Sequence, residues 1–230
     1  MKNILKHPLK LSKKSAVLLG LAAFALSTSS AFAQAQCLTN TTWRGGTGSW
    51  FIASNWNNGV PTSSINAQVN NGGTAQIATA IGVGNACSLA IGPGNVTVNA
   101  TTGGGLLNVT DSVVVGSNGV LTLTNGGTVN AGNVTVSGTL DFNVVPSTSG
   151  SVKTSGAPGT VTLNSSSTLN VTMTGTFTPG TRYTLLTATG GVTGTFSHVT
   201  ITRPPGPPCY TPRINYDANH VYLDLQICTD

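Results

Sequence analysis

The sequence predicts an all-β protein, with a parallel β-helix (a solenoid) as the favoured architecture and a β-sandwich as the alternative. The chain of 230 residues contains no Glu, and only one Lys follows residue 14, although helices usually carry such residues on their exposed faces. Val and Thr, which suit a pleated strand, and Gly and Asn, which suit turns, are abundant instead. Short alternating runs divided by Gly/Asn turns recur through the middle of the chain, as successive strands would.

The first 33 residues have the features of a cleaved signal peptide, so the mature chain is expected to span residues 34–230. Five lysines come before an apolar run at 16–26, and small residues lead to Ala33. A basic start, a short apolar stretch and a small-residue ending are typical of secretory signals. The apolar run is shorter than the roughly 20 residues of a membrane-spanning helix, and no integral membrane segment is expected in the mature chain.

The mature chain is expected to carry no net charge, which argues against two classes of partner. Its strong cations are one Lys and four Arg, and they are matched by five Asp. Nucleic-acid binding depends on clustered basic residues, and attachment to acidic lipids depends on a polybasic segment. Neither kind of partner is therefore expected.

Three parts follow one another in the mature chain, and together they are predicted to form one domain. Residues 34–61 hold all the tryptophans and are predicted to cap the front of the β-helix. Residues 62–203 are predicted to form its coils, with a polar loop near 146–159. Residues 204–230 alternate in two arms around a turn and are predicted to form a capping hairpin.

A weak repeat inside the coil region favours the β-helix over the sandwich. An Asn-Val-Thr triplet begins at Asn95, Asn108, Asn133 and Asn170, at intervals of 13, 25 and 37 residues, which are close to multiples of one unit. The candidate core residues here are small and β-branched, which suits a thin, repetitive interior. Regularly spaced strands also fit a sandwich, so that alternative stays open.

Four cysteines are predicted to form two disulfides, because an even number in an exported chain favours pairing over free thiols. They are Cys37, Cys87, Cys209 and Cys228. A metal site is not expected, since no Cys-x-x-Cys pair occurs. The midpoint between Cys209 and Cys228 falls in the predicted hairpin turn, which favours pairing of these two and leaves Cys37 with Cys87. The sequence leaves the other two pairings open.

Tryptophan- and glycine-rich motifs mark the start of the mature chain. The pattern Trp-x-Gly-Gly-x-Gly-x-Trp spans 43–50, and Asn-Trp-x-Asn-Gly-x-Pro spans 55–61. With the Gly-rich repeats at 95–142 and the segment 180–188, they resemble bacterial autotransporter passenger domains and autotransporter-associated β-strand repeat proteins. The resemblance implies a right-handed parallel β-helix that acts at the cell surface, often in adhesion or aggregation. One departure is that the chain after Phe196 is too short and too rich in proline for the translocator barrel of that family.

The three tryptophans, Trp43, Trp50 and Trp56, have two interpretations. Exposed indole rings could form a platform that stacks on sugar faces, which would make the protein a carbohydrate-binding module. Buried rings would instead plug the first coil and shield its edge. The packing interpretation is favoured, because large aromatic side chains are mostly buried when the rest of the core is small.

Catalysis is not expected, although polysaccharide-degrading enzymes also use β-helices. Glycoside hydrolysis generally needs two carboxylates beside the scissile bond, and the coil region offers only Asp111 and Asp141. No nucleophile elbow or phosphate-binding loop occurs, and His198 and His220 have no recognisable partner spacing. Neither a cofactor nor a metal ion is expected.

These expectations define an exported, non-enzymatic, passenger-like β-helix with a surface, adhesive or structural role. Its expected partners are extracellular glycans, a matrix or components of the cell surface, met by rows of Thr, Ser and Asn. Its expected location is the cell surface or the extracellular space, with the periplasm as the alternative. A carbohydrate-binding module is the first alternative function, and a polysaccharide-degrading enzyme is the second.

Overall fold

The described residues form one solenoid whose regular secondary structure consists of strands and one 3₁₀ turn at Ala53–Asn55. They belong to a single compact unit, Ala35–Asp230, and the predicted signal peptide lies outside them. The computed structural model describes residues 37–78, 82–100, 105–156, 158–206 and 209–228.

The strands, in chain order, are β1 (Thr39–Thr42), β2 (Thr47–Ser49), β3 (Ile65–Val69), β4 (Thr74–Ala78), β5 (Gly84–Ala86), β6 (Leu89–Ile91), β7 (Gly94–Asn99), β8 (Leu106–Val115), β9 (Gly119–Thr124), β10 (Thr128–Val136), β11 (Thr139–Val145), β12 (Thr148–Ser149), β13 (Ser151–Thr154), β14 (Val161–Leu163), β15 (Thr168–Met173), β16 (Arg182–Thr187), β17 (Val192–Thr193), β18 (His198–Thr202), β19 (Tyr210–Tyr216) and β20 (His220–Ile227).

The chain passes back and forth between two sheets. Sheet 1 has the order β1-β3-β6-β8-β10-β13-β16-β20-β19, with β5, β14 and β17 paired beside this path. Sheet 2 has the order β2-β4-β7-β9-β11-β15-β18, with β12 paired to β11. Three pairs are antiparallel, namely β11–β12, β16–β20 and the β19–β20 hairpin. The other strands pair in parallel. The fold is therefore a parallel β-solenoid, and the alternative of a sandwich with antiparallel sheets is wrong.

Alternation along each strand separates an apolar interior from a polar surface. In sheet 2, one inward row consists of buried residues that are partners in successive strands: Ile77, Val98, Leu123, Phe142 and Val171. The four Asn-Val-Thr triplets lie in strands on both sheets, and the Val of each is buried: Val96, Val109, Val134 and Val171. The triplet therefore marks a strand whose central side chain belongs to the core.

Glycine and asparagine allow tight corners between the strands. A Cβ atom on Gly138 would collide with the carbonyl oxygens of Gly116 and Gly119 in the preceding turn. Between β9 and β10, Asn125 and Gly126 have positive φ values of 52° and 84°, a conformation that these two residue types adopt at low cost. The Gly/Asn signals in the sequence therefore correspond to corners of the solenoid.

Both disulfides form with the favoured pairing. Cys37 is joined to Cys87, and Cys209 is joined to Cys228, with Cα atoms 5.7 Å apart in each pair. The first disulfide ties the segment before β1 to the corner between β5 and β6, and the second joins the two arms of the β19–β20 hairpin. Two such disulfides indicate an oxidising environment, as in the extracellular space or the periplasm.

Two segments contain strands that the sequence does not predict there. The front segment, 34–61, contains β1 and β2, so it supplies the first turn of the solenoid as well as a cover. The predicted polar loop near 146–159 contains β12 and β13, so the prediction of a loop is wrong there. Val152 and Thr154 alternate into the core while Lys153 stays exposed, which is the pattern of a half-buried strand.

The back of the solenoid ends differently in the two sheets. In sheet 1, the predicted hairpin is present: β20 pairs antiparallel with β16, and β19 pairs antiparallel with β20. Leu223 and Leu225 of β20 are buried. In sheet 2, β18 is the last strand, and among the described residues no further strand pairs with it. Val199 of β18 is 43% exposed, although its partner Leu169 is fully buried.

Candidate functional site

The three tryptophans form one buried cluster at the front of the solenoid. Trp43 follows β1, Trp50 follows β2 and Trp56 follows the 3₁₀ turn. Their exposed fractions are 1%, 0% and 3%. The Trp56 ring packs edge-on against both others, with centroid distances of 5.0 Å to Trp43 and 4.8 Å to Trp50. Such edge-to-face pairs contribute stability beyond the area that they bury.

The segment that carries Trp56 also covers the outer edge of β1. The Asn57 N–H donates to the Thr42 carbonyl (3.0 Å), and the Arg44 N–H donates to the Asn55 carbonyl (2.7 Å). The Thr42 N–H in turn donates to the side-chain oxygen of Asn57 (2.7 Å). An uncovered edge would expose these backbone groups to pairing with other chains. The Asn-Trp-x-Asn-Gly motif is therefore explained by protection of an edge strand.

The environment of Trp43, Trp50 and Trp56 favours the packing interpretation. A sugar-stacking platform requires an exposed ring face, and these three rings have none. Trp56 Nε1 donates to the Trp50 carbonyl (2.8 Å), and Trp43 Nε1 donates to the Gly46 carbonyl (3.1 Å). Trp50 Nε1 is buried and has no hydrogen-bond partner among the described residues. These contacts are those of a structural plug.

Asp111 and Asp141 lie in different sheets. Asp111 is in β8 of sheet 1, where the Ser112 hydroxyl donates to its carboxylate (3.4 Å). Asp141 is in β11 of sheet 2, opposite Thr122 and Asn170 of the neighbouring strands. Burial raises the pKa of Asp141 above its ordinary value of 3.8. Neither carboxylate lines the groove described below.

A charged network on the terminal hairpin is absent from the sequence-based expectations. The Asp217 carboxylate accepts a hydrogen bond from the Tyr222 hydroxyl (2.8 Å) and lies 3.0 Å from His220 Nδ1. Asp224 forms a two-point ion pair with Arg182 of β16, at 2.6 and 2.8 Å. The Arg182 guanidinium also lies 4.3 Å from the centre of the Tyr222 ring. Alternation along β20 places His220, Tyr222 and Asp224 on one face. Asp217 of the turn and Arg182 of β16 join this face only in the folded chain.

Hydrogen bonds and charge keep both hairpin carboxylates ionised. The Asn219 N–H, the Tyr222 hydroxyl and the His220 side chain lower the pKa of Asp217 from 3.8 to about 2. The Arg182 guanidinium lowers the pKa of Asp224 below its ordinary value. The network therefore depends on deprotonated carboxylates, and acid is expected to weaken it.

Outward polar side chains form continuous rows along both sheets. The sheet 1 row consists of Asn85, Asn108, Asn130, Lys153, Thr187 and His220, each the partner of the next. The sheet 2 row consists of Gln76, Thr97, Thr122, Asp141, Asn170 and Thr200. Neighbouring strands lie about 4.8 Å apart, so each row presents one polar side chain at that interval.

Two adjoining cavities flank the sheet 1 row, and together we call them the Lys153 groove because Lys153 lines both. One has a volume of about 620 Å³ and is lined mainly by Ser and Thr, with Arg182 and His220. The other has a volume of about 600 Å³ and includes Asn108 and Asn130. Both are open to solvent along the surface of the sheet rather than enclosed.

The lining of the Lys153 groove combines positive charge with hydrogen-bonding groups. Among the described residues, it contains Lys153 and Arg182 but no carboxylate. The Asn130 amide donates to the side-chain oxygen of Asn108 (3.1 Å), so these two amides form a short ladder across neighbouring strands. The sequence predicts rows of Thr, Ser and Asn, but it does not align Lys153 with them because its pattern predicts a loop at this strand.

The described residues contain no group of three or more His, Cys, Asp or Glu side chains that could hold a metal ion. His198 lies on exposed β18. The helical structure described contains no segment long and apolar enough to cross a membrane. No protein-family model matches the sequence, and a search of curated proteins gives no match either.

Proposed function

We propose that the protein is an exported, non-enzymatic, passenger-like β-solenoid that serves as a surface scaffold and contacts glycans or a matrix through its polar faces. The observation that carries this proposal is the pair of continuous outward rows, one on each sheet. Most members of the rows are amides and hydroxyls, which exchange hydrogen bonds with sugar hydroxyls without needing an opposite charge.

The spacing of the rows supports a linear glycan as the partner. Side chains about 4.8 Å apart match the length of one hexose unit in an extended polysaccharide closely. A chain lying along a row would therefore meet a hydrogen-bonding group at each sugar. Single contacts of this kind are weak, but contacts along one chain act together, because the first contact raises the effective concentration of the next.

The ends of the solenoid support a scaffold that works outside the cytoplasm. The front is plugged by buried aromatic rings, and one disulfide fastens each end. Disulfides persist in oxidising compartments, where they limit unfolding of an exposed chain.

Affinity electrophoresis in gels that contain neutral or acidic polysaccharides tests this function. We expect at least one polysaccharide to retard the protein, and we expect Thr122→Ala combined with Asn130→Ala to reduce the retardation, since it removes one group from each row. Thr176→Ala is the matched control, because Thr176 is exposed and lies outside both rows. Free migration in every gel would contradict the proposal.

Two further measurements separate this function from its alternatives. New reducing ends in the polysaccharide, lost on Asp111→Asn or Asp141→Asn, would indicate an enzyme. A shift of tryptophan emission on glycan binding would indicate a platform formed by the indole rings. We expect neither change, because the carboxylates lie in separate sheets and the rings are buried.

A further inference from the structure

Lys153 differs in charge from the other members of its row. The rest of the sheet 1 row consists of amides, a hydroxyl and an imidazole, whereas Lys153 carries a full positive charge. Its side chain is exposed, and it lines both cavities of the Lys153 groove. It is also the only Lys in the predicted mature sequence.

The charge of Lys153 is not neutralised by the lining of its groove, which contains no carboxylate in the part of the chain that the structure describes. The acidic groups of the neighbouring hairpin are already engaged. Asp224 binds Arg182, and Asp217 binds Tyr222 and His220. A ligand that brings its own carboxylate would therefore find a cation at Lys153, and a charge-assisted hydrogen bond is stronger than a neutral one.

The positions beside Lys153 suit the rest of an acidic sugar chain. Asn130 and Thr187 are its partners in the adjacent strands, and Asn108 continues the row beyond Asn130. The hydrogen bond between the two amides fixes their orientation. Successive sugars along the row would thus meet a cation at one position and neutral hydrogen-bonding groups on either side.

We propose that the Lys153 groove binds a linear acidic polysaccharide made of uronate sugars, with one carboxylate on the Lys153 ammonium group. The inference rests on the proposed function and specifies the ligand class. The amides of Asn108 and Asn130 and the Thr187 hydroxyl bind the hydroxyl groups of the flanking sugars.

Calorimetric titration of the full chain, with its disulfides intact, tests this proposal. The probes are an oligogalacturonate long enough to span the row and its fully methyl-esterified form, which keeps the rings and loses the charge. We expect the acid to bind at least tenfold more tightly than the ester. Lys153→Gln should weaken binding of the acid about tenfold, which corresponds to about 1.4 kcal/mol, and should leave the ester unaffected. Lys153→Arg should keep most of the affinity, since it keeps the charge.

Arg44→Gln is the matched control, because it removes one exposed cation at the front of the molecule. An equal loss on Arg44→Gln would show that net charge, not the groove, attracts the acid, and would overturn the proposal. Equal binding of acid and ester, unchanged by Lys153→Gln, would also overturn it but would leave the proposed contact with glycans standing. Binding of neither probe would overturn the acidic site, and the gel assay would then decide the broader function.

Discussion

The front and the back of the solenoid are closed by different chemistry. At the front, Trp43, Trp50 and Trp56 are buried together, and residues 37–61 contain no carboxylate. At the back, an ion pair and a carboxylate network decorate the hairpin, and β18 leaves Val199 partly exposed. An apolar plug draws its stability from packing, whereas the charged network also depends on ionisation. The two ends should therefore respond differently when an apolar side chain is shortened, when a disulfide is removed or reduced, and when the pH is lowered.

The largest difference is expected when an apolar side chain is truncated at each end. Trp56→Ala should lower the free energy of unfolding by about 3–5 kcal/mol, because it leaves a cavity between two other rings. Val199→Ala should cost less than about 1 kcal/mol, since this side chain is 43% exposed. Chemical denaturation followed by circular dichroism measures both values. Similar losses for the two variants would contradict the view that Trp56 belongs to a buried plug whereas Val199 lies on an open edge.

The second-largest difference is expected between the contributions of the two disulfides to the free energy of unfolding. Replacing Cys37 and Cys87 with Ala should cost roughly 4 kcal/mol, and replacing Cys209 and Cys228 should cost roughly 3 kcal/mol, because the sequence separations are 50 and 19 residues. Each double variant is compared with the unmodified chain by denaturant unfolding. A larger loss for the hairpin pair would show that loop closure does not set the order.

The two disulfides should also differ in how fast they are reduced, because their solvent access differs. Cys87 is fully buried, whereas Cys209 is exposed. Thiol–disulfide exchange requires access of the attacking thiolate, so we expect mild reductant to open the Cys209–Cys228 bond first. Mass spectrometry after timed alkylation identifies the order. Earlier opening of the Cys37–Cys87 bond would mean that the front opens more readily than its packing indicates.

Sequence analysis predicted the backbone of this molecule better than its surface chemistry. The Asn-Val-Thr triplets and the Gly/Asn corners are local patterns, so the residues next to them in sequence are enough to predict a strand or a turn. The Lys153 groove and the Arg182–Asp224 pair depend on partners from other turns, 42 residues apart in the case of the ion pair. Because Ser, Thr and Gly surround Lys153, the sequence predicts a loop there, although Val152 and Thr154 alternate into the core. The groove and the ion pair both depend on the register between strands, and no single stretch of sequence determines that register.

A smaller effect is expected from changes that keep a ring but remove an indole N–H. Trp56→Phe removes the hydrogen bond to the Trp50 carbonyl, whereas Trp50→Phe removes an N–H that has no partner among the described residues. The two changes remove similar volume, so Trp56→Phe should cost about 1 kcal/mol more than Trp50→Phe. Parallel urea titrations measure the difference. Equal costs would mean that the hydrogen bond adds nothing to the plug.

The smallest effect is expected from acid, and it should be confined to the back. The pKa of Asp217 is about 2 in the folded chain against an ordinary value of 3.8, so its contribution to stability is complete above about pH 4 and is lost as the pH falls towards 2. The pKa of Asp224 is lowered as well, by Arg182, and it acts in the same direction. Hydrogen exchange, corrected for its intrinsic pH dependence, should show lower protection of β19 and β20 at about pH 2.5 than at about pH 5, while the amides at 42–44 keep theirs. Asp217→Asn should reduce this loss. Asp141→Asn is the matched control, because burial raises the pKa of Asp141, so its protonation in acid favours folding. If Asp217→Asn did not reduce the loss of hairpin protection, the acid-sensitive group would lie elsewhere.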